Sequence, residues 1–450
     1  MKAIRRSIAV LLASVLVLTG IGSFAEDVQE ARRMETCADA EFWVSVLLGD
    51  APETLWDSWQ MTDQMRMSLA LSGGMKALAE SIAALGAASH VGPAWEDTIQ
   101  GYRAFHVPCA FQAMPLDLIL VTEDGVIAGL NTGAYSGGTD EPADTGCESI
   151  DLVLPVPSMN GELPGTLTLP EGDGPFPAVV LVHGSGPNDR DETIANLKPF
   201  RDLAEGLASM GVAVYRYDKR TYVYGTQMIS DRHVTLADET IDDAAAAVQL
   251  LARQERIDPE RIFVLGHSLG GNAVPAIAQV LAEMPVDARG YIMMAASPRP
   301  LDVLMREQID WLYSLLPVVT AEQQAEKDQL LADLDRLADV DALAEDDVIA
   351  GAYAPYWQWL AAYDALGAAS GITAPCLLLQ GEEDYQVTMT DYAIWQDALG
   401  DRDNWQFVSF PGLTHPFTPG LKSEGSAAYA RTEKVSDEVI RTVADFILAH

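Results

Sequence analysis

The most constraining feature of this sequence is a serine in a glycine-flanked turn at residues 266–270, which read Gly-His-Ser-Leu-Gly. An apolar, strand-like stretch, 261–265, precedes the turn and a helix-like stretch, 272–281, follows it. A serine between a strand and a helix takes strained backbone angles, and only small neighbours let the chain pass itself so closely. The pattern predicts that the Ser268 hydroxyl projects from a sheet edge, beside helix N–H groups that can bind an oxyanion. The alternative, a glycine-rich turn with an ordinary serine, is disfavoured by the flanking patterns.

The acid and the base of a serine nucleophile are expected downstream. A serine hydroxyl needs a histidine base, and the histidine needs a carboxylate that fixes its tautomer. The apolar stretch 375–380 leads into a loop with three carboxylates, where the acid should lie. We select Asp384, because the Gly-x-x-Asp-x-x-Val spacing of residues 381–387 places it inside the loop. Glu382 and Glu383 are expected to be solvated.

The base is expected after the last strand of the sheet. Residues 405–410 have the pattern of that strand, and His415 follows in a glycine-containing loop before a predicted helix at 437–448. A lone loop histidine is usually only solvated, but His415 completes the order Ser, Asp, His that an α/β-hydrolase arrangement requires. The sequence therefore predicts a Ser268–Asp384–His415 triad, and His267 is expected to pack locally.

An oxyanion hole needs two donors. The N–H of Leu269, directly after the nucleophile, is the first candidate. The second should come from the loop 183–187, which reads His-Gly-Ser-Gly-Pro after the apolar strand 176–182. We favour the Ser185 N–H, with Gly184 as the alternative, and expect His183 to hold the loop by hydrogen bonds. A simple glycine turn is the other interpretation.

Several segments of this chain resemble the α/β-hydrolase superfamily. The resemblance is closest to a bacterial serine-esterase group with an N-terminal domain of the type catalogued as unknown function (DUF3887). It is carried by these segments: 183–191, 215–220, the turn at Ser268, 380–387 and the loop at His415. It covers about residues 150–450 strongly and about 35–130 weakly. It implies carboxylic-ester hydrolysis through the triad, on short acyl groups.

The order of strand and helix patterns predicts the architecture. From residue 150 to 450 they alternate, which favours an α/β fold with a mostly parallel sheet and helices on both faces. About residues 298–372 break the alternation with helical patterns and are expected to form a cap over the site. Aromatic residues of the cap either pack it onto the body or line a pocket. The charges of 218–220 are expected to pair within their loop rather than act in catalysis.

Residues 34–130 are expected to form a separate small α+β domain. Helical patterns come first, and alternating strand-like runs follow, with a hairpin signal at Glu123–Gly125. Glycine and proline crowd residues 131–149, which are therefore predicted to be a linker. The domain carries no catalytic constellation, and an accessory role, a substrate-side wall and a dimerisation surface all stay open.

The N-terminus has the pattern of a secretory signal over residues 1–25. Lys2, Arg5 and Arg6 precede an apolar stretch, 8–18, that is short for a bilayer span, and small residues at 23–25 offer a cleavage site. We expect a secreted or extracytoplasmic chain without a stable membrane anchor. An uncleaved anchor is the alternative.

The composition narrows the class of partner. The chain has 28 basic and 66 acidic residues, and a formal charge of −38 repels nucleic acid. We infer that the negative charge keeps the protein in solution, and attraction of a cationic substrate is the alternative. The cysteines have no metal-type spacing. Cys37 and Cys109 could pair in an exported protein, Cys147 is unassigned, and Cys376 is expected to be a buried thiol.

The sequence thus predicts a serine hydrolase that transfers the acyl group of a small ester in two steps, without metal or organic cofactor. A serine peptidase or amidase and a thioesterase are the alternatives within this fold. A binding module on a hydrolase scaffold, with the N-terminal domain as its working part, is the non-enzymatic alternative. The sequence carries no indication of oligomeric state.

Overall fold

The structure, a computed structural model, describes residues 31–71, 74–83, 85–99, 102–111, 115–133, 147–316, 318–431 and 433–450. The predicted signal segment, 1–25, and most of the predicted linker lie outside the described residues. Two compact units are distinguished: one comprises described residues of Met1–Thr139 with Glu424–Thr432, and the other Asp140–Ser423 with Glu433–His450. None of the described helices has both the length and the apolar character of a membrane span.

The first unit contains an antiparallel sheet with helices packed on it. Its helices are α1 (Cys37–Leu47), α2 (Leu55–Ser58), α3 (Asp63–Leu71) and α4 (Gly74–Ala83), with a 3-10 turn at Pro52–Thr54. Its strands are β1 (Ala88–Val91), β2 (Trp95–Ile99), β3 (Tyr102–Phe111), β4 (Pro115–Glu123) and β5 (Val126–Gly133). The sheet order is β1-β3-β4-β5, and β2 also pairs with β3. Trp43, Phe105 and Leu118 belong to the core between helices and sheet.

Strand β3 is longer than the sequence indicates. The sequence predicts two separate strand-like runs here, 101–107 and 109–113, but β3 continues from one into the other through Pro108. On one edge β3 pairs with β2 up to His106 and with β1 from Cys109, so Pro108 lies at the junction of the two partners. A proline without N–H is tolerated at such a break in the ladder. Cys37 and Cys109, whose pairing the sequence leaves open, are both free thiols.

The second unit is built on an eight-stranded sheet of order β17-β16-β13-β12-β10-β11-β9-β6. The ladders from β17 to β11 are parallel, and β9 and β6 join antiparallel. The strands of this unit are β6 (Glu148–Asp151), β7 (Leu154–Val156), β8 (Gly161–Leu163), β9 (Gly165–Leu169), β10 (Phe176–Val182), β11 (Ala213–Tyr217), β12 (Ile257–His267), β13 (Gly290–Met294), β14 (Val348–Ile349), β15 (Ala352–Tyr353), β16 (Cys376–Gly381) and β17 (Trp405–Phe410).

Helices cover both faces of this sheet. The helices of the second unit are α5 (Pro199–Ser209), α6 (Arg220–Val223), α7 (Gly225–Ser230), α8 (Asp242–Leu251, continuing a π-helical turn at Ala237–Ile241), α9 (Leu269–Leu281), α10 (Leu301–Ser314), α11 (Ala321–Asp335), α12 (Ala354–Ala362), α13 (Ala365–Ser370), α14 (Met389–Leu399) and α15 (Asp437–Ala449), with 3-10 segments at Pro157–Met159 and Arg336–Ala342. A further 3-10 segment, Lys422–Ala430, belongs largely to the first unit. Alternate residues of β10 enter opposite cores: Val180 faces the core that includes α8 and α9, and Val179 faces the core of α5 and α15. Burial on both faces explains why β10 is apolar throughout.

The cap lies between β13 and β16, where the sequence predicts it. It contains α10, α11, α12, α13 and the short hairpin β14–β15, which the helical pattern did not indicate. It has a small core of its own that includes Leu334, Leu337, Ile349 and Trp357. The Trp357 indole N–H donates to the Ile349 carbonyl at 3.0 Å and ties the hairpin to α12.

The backbone is packed very closely where β12 turns into α9. A Cβ added at Gly270 would be 2.3 Å from the Val182 carbonyl oxygen and 2.5 Å from that of His183. Backbone lies directly against backbone here, so a side chain at Gly270 forces the sheet apart.

We expect Gly270→Ala to lower the free energy of unfolding by about 3 kcal/mol, the upper range for overpacking. Guanidinium unfolding measures this. Gly225→Ala is the matched control, because a Cβ there meets no atom within 4 Å. Equal stability of the two variants would contradict the packing described for the turn.

Candidate active site

Ser268 is held in a strained conformation between β12 and α9. Its φ of 55° and ψ of −118° are unfavourable for a residue with a side chain. A Cβ at Gly266 would lie 2.3 Å from the Gly270 carbonyl oxygen, so both glycines are needed for the chain to double back. The Ser268 N–H donates to the Met294 carbonyl at 2.9 Å, and the first turn of α9 closes on the Ser268 carbonyl from Asn272 at 2.9 Å. These contacts hold the strain in place.

Asp384 and His415 are brought together by the loops after β16 and β17. Asp384 Oδ2 lies 2.6 Å from His415 Nδ1, and both side chains are buried. Asp384 Oδ1 also accepts from the N–H groups of Gln386 at 2.7 Å and Val387 at 3.0 Å. The Gln380 amide donates to Asp384 Oδ2 at 3.1 Å. A carboxylate with these donors fixes the proton of His415 on Nδ1 and leaves Nε2 for a second partner.

In the described part of the chain, His415 lies near the nucleophile turn but is not hydrogen-bonded to Ser268. The His415 ring centroid lies 4.7 Å from that of His267, the residue before Ser268. Among the residues that the structure describes, no hydrogen bond joins the Ser268 hydroxyl to His415. Such bonds are often long without substrate and tighten in the reacting complex. The complete triad therefore stays a prediction.

The two other carboxylates of the acid loop have different partners. Glu382 accepts from the Ser409 hydroxyl at 2.8 Å, and Glu383 accepts from the Lys422 N–H at 3.0 Å. The sequence predicts that both glutamates are solvated, but both are half-buried and hydrogen-bonded. Neither contact involves His415, which supports the choice of Asp384.

The predicted oxyanion donors flank the nucleophile. Ser185, Ser268 and Leu269 line the same cavity. A Cβ at Gly184 would lie 3.2 Å from the Cβ of Ser268, so the loop after β10 passes directly beside the nucleophile. The Gly184 N–H already donates to Glu192 Oε1 at 2.6 Å. Because that donor is occupied, the geometry favours Ser185 over Gly184 as the second oxyanion donor.

Glu192 and His267 form a buried pair that sequence reasoning missed. Glu192 Oε2 lies 2.9 Å from His267 Nδ1, and His267 Nε2 lies 3.0 Å from the His415 carbonyl oxygen. Both side chains are buried, and neither atom of the 2.9 Å contact has another hydrogen-bond partner. Since a carbonyl only accepts, Nε2 carries a proton, and the carboxylate favours a second proton on Nδ1. The pair thus connects the Gly184 N–H to the loop of the base.

The pKa shifts of the pair agree with an imidazolium and a carboxylate. Burial lowers the pKa of His267, but the charge and hydrogen bonding of Glu192 and the His415 carbonyl raise it more, so the net shift is upward. Burial raises the pKa of Glu192, but the charge of His267 and further hydrogen bonds lower it more. The sequence signal for this pair is slight, because Glu192 ends a run of charged residues, 189–192, of a kind that is usually solvated.

His183 anchors the loop after β10 by packing. Its ring lies 4.9 Å from that of Phe200 and 5.5 Å from that of Tyr217. Burial, followed by the charge of Lys219, lowers the pKa of His183 to about 4 despite the opposing effect of Glu192. A neutral, buried ring at this place is a packing element rather than a second base.

A cavity of about 810 Å³ lies above Ser268, between the sheet and the cap. Tyr353, Tyr356, Trp357 and Tyr363 line it from the cap. Trp359 packs on Tyr363 with ring centroids 5.2 Å apart. Some aromatic residues of the cap therefore line the pocket, whereas Trp359 has a packing role; the sequence left both roles open. No cluster of His, Cys, Asp and Glu in the described part of the chain is arranged to hold a metal ion.

We expect Glu192→Gln to be destabilised by about 3 kcal/mol where the pair is fully charged, as for other broken buried pairs. Because the pKa of His267 is raised, its contribution to the free energy of unfolding is fully present below the ordinary pKa of 6.5. This contribution is lost as pH rises through the pKa of the folded state. Because the pKa of Glu192 is lowered, its contribution to the free energy of unfolding is fully present above the ordinary pKa of 4.5. This contribution is lost as pH falls through the pKa of the folded state. The difference in stability between Glu192→Gln and wild type should therefore be largest between these two ordinary pKa values.

Unfolding midpoints of wild type and variant from about pH 5 to about pH 9 check this expectation. Glu383→Gln is the control, with a gap that should change little over this range. A constant gap for Glu192→Gln up to the alkaline end would contradict a charged pair.

This chain is similar to a family of hydrolases and to known esterases. Residues 175–418 match the family model Hydrolase_4, described as serine aminopeptidase, S33. Esterase EstD of Thermotoga maritima is 40% identical over 291 residues, which are 65% of this chain and 66% of that protein's length. Among solved structures, Est1E from Butyrivibrio proteoclasticus has 17% identity and a TM-score of 0.42, covering 66% of this chain and 98% of that one. The Pyrococcus furiosus esterase Pf2001 has 17% identity and a TM-score of 0.43, covering 70% and 96%.

The family model matches more than half of the chain, and it assigns the chain to a family. It confirms the predicted α/β-hydrolase fold, and the parallel sheet with helices on both faces agrees with it. This chain belongs to the Hydrolase_4 family of α/β-hydrolases, the serine aminopeptidase S33 group.

Proposed function

We propose that this protein hydrolyses carboxylic esters through an acyl-enzyme on Ser268. The observation that carries the proposal is the Asp384–His415 contact of 2.6 Å beside a serine at a φ of 55°. A carboxylate–histidine pair next to a strained, accessible serine is the arrangement of nucleophilic acyl transfer. The name of the relative EstD supports an ester rather than another acyl substrate.

The proposed reaction has two acyl-transfer steps. His415 takes the proton of Ser268 as the hydroxyl oxygen attacks the ester carbonyl, and Asp384 stabilises the imidazolium that forms. The N–H groups of Leu269 and Ser185 receive the carbonyl oxygen as it becomes an oxyanion. His415 then gives its proton to the leaving alcohol. Water, deprotonated by His415, releases the acid and restores Ser268.

We propose a short acyl group, as the family resemblance implies. A cavity of about 810 Å³ is large beside an acetyl or butyryl group and lies in the range of sites for drug-sized ligands. The alcohol part is then the larger half of the substrate and occupies the space below the cap. The aromatic side chains of Tyr353, Tyr356 and Trp357 suit an apolar or aromatic alcohol.

A peptidase or amidase is the second candidate, and the description of the family favours it. An amide nitrogen is a poorer leaving group than an alkoxide, so the same site should act on amides more slowly. A thioesterase and a binding module on this scaffold remain further alternatives. The strained Ser268 argues against the binding module, because strain of this kind is retained for function.

Export and the identity of the N-terminal domain are also proposals. The signal-like residues 1–25 and the formal charge of −38 support a secreted or extracytoplasmic protein. The helices and antiparallel sheet of the first unit are compatible with the proposed DUF3887-type accessory domain. No role in the reaction is assigned to it.

We expect wild type to hydrolyse p-nitrophenyl acetate and butyrate faster than octanoate. Ser268→Ala should lose at least about 10⁴-fold in kcat, because it removes the nucleophile. Asp384→Asn should lose about 10³–10⁴-fold, because it favours the wrong tautomer of His415. Release of p-nitrophenol, followed by absorbance, measures all three substrates.

Glu382→Gln is the matched control in the acid loop and should keep the wild-type rate. An aminoacyl p-nitroanilide is assayed in parallel for the amide alternative. The proposal fails if wild type hydrolyses only the anilide, or if Ser268→Ala retains the ester activity. A preference for octanoate would contradict only the proposed short acyl group and would leave the esterase proposal intact.

A further inference from the structure

Lys219 is a buried lysine that the proposed reaction does not use. It follows β11 and is only 2% exposed. Its ammonium donates to the Gly184 carbonyl at 2.7 Å and to Glu239 Oε1 at 2.5 Å. Lysine is almost never fully buried unless it is paired, because desolvation of the charge is costly. The sequence led us to expect charge pairing within residues 218–220, whereas Lys219 pairs with residues from two other segments.

The carbonyl that Lys219 contacts belongs to the peptide of the proposed oxyanion donor. The Gly184 C=O and the Ser185 N–H are parts of one planar unit and point in opposite directions. When Lys219 holds the carbonyl, the direction of the Ser185 N–H is fixed as well. A cation at the carbonyl oxygen also polarises the peptide and makes its N–H a stronger donor.

Other contacts hold the same loop from its remaining sides. Asn188 Nδ2 donates to the Gly184 carbonyl at 3.2 Å, and the Gly184 N–H donates to Glu192 at 2.6 Å. Asn188 and Glu192 belong to the segment that follows the loop, whereas Lys219 comes from the segment after β11. Lys219 therefore adds a charged contact to the Gly184 carbonyl from a different part of the chain.

Glu239 makes the burial of Lys219 possible and connects it to the cap. It lies on the π-helical turn before α8, is buried, and lines the cavity. Tyr356 of the cap lines the same cavity, and burial together with the nearby Glu239 carboxylate raises the pKa of Tyr356 well above its ordinary value. Glu239 therefore lies between the cap and the contact of Lys219 with the oxyanion loop.

We propose that Lys219 is a positioning residue of the oxyanion hole, which it serves by orienting and polarising the Gly184–Ser185 peptide. The proposal rests on the proposed function, because it needs a reaction that forms an oxyanion at Ser185. Lys219 itself does not touch the substrate. The interaction it strengthens is made in the transition state more than in the ground state, so its loss acts on kcat rather than KM.

The test removes the ion pair without leaving a charge buried alone. Lys219→Met with Glu239→Gln replaces both members, which proteins often tolerate. We expect kcat for p-nitrophenyl acetate to fall at least about tenfold, toward the roughly 10²–10³-fold that loss of one oxyanion donor costs. KM should change less than kcat, although Glu239 also lines the cavity. Inhibition by an aryl trifluoromethyl ketone, which adds to Ser268 as a tetrahedral oxyanion, should weaken in parallel with kcat/KM.

Arg220→Met with Asp243→Asn is the matched control. This neighbouring pair is buried to a similar degree, with an N–O distance of 2.5 Å, and its side-chain contacts do not involve Gly184. It should lower the unfolding midpoint and leave kcat and ketone binding of the folded protein within about twofold. A loss of kcat equal to that of the Lys219 variant would show a merely structural effect and overturn the proposal.

Two further results separate the outcomes. If the Lys219 double variant does not fold, Lys219→Arg is measured instead. It keeps the charge but displaces the donor, and misplacement by about 1 Å can cost up to about 10²-fold. Unchanged kcat and ketone binding in the variant that folds overturn the role of Lys219 while leaving the esterase intact. Absence of ester hydrolysis in wild type overturns the proposed function itself.

Discussion

The site depends on one crossing of backbone against backbone. At the end of β12 the chain turns so tightly that Gly266 and Gly270 must be free of side chains. Gly270 lies directly against the carbonyl groups at the end of β10, which places the loop with Ser185 beside the turn with Ser268. The strained φ of Ser268 follows from this crossing, and so does the proximity of nucleophile and oxyanion donors. The apolar strands on both sides hold it closed.

Buried charged groups hold the loops around the crossing in place. Glu192 joins the Gly184 N–H to His267, and His267 contacts the carbonyl of His415. Asp384 then fixes the His415 ring from the other side. Each charge in this region has an opposite charge or several donors within hydrogen-bond distance, which is the condition for keeping charged groups out of water. The same contacts hold peptide groups in fixed directions, and fixed dipoles are what stabilise an oxyanion.

The sequence predicted the parts of the molecule that depend on local pattern and chain order. The strained turn at Ser268 and the alternation of strands and helices belong to this class. The Glu192–His267 pair does not, because two residues 75 positions apart meet only after β10 and β12 align. Strand β3 was also missed as one element, since Pro108 is tolerated only where its two edge partners meet.

The central claim is that Ser268 carries the acyl group during turnover. The direct measurement is mass spectrometry of protein mixed with p-nitrophenyl butyrate and quenched in acid within milliseconds, followed by peptide mapping. The account predicts one butyryl group per chain, located on the peptide that contains Ser268, and its decay as product acid forms. Release of p-nitrophenol without such an adduct, or an adduct on a different residue, would contradict it.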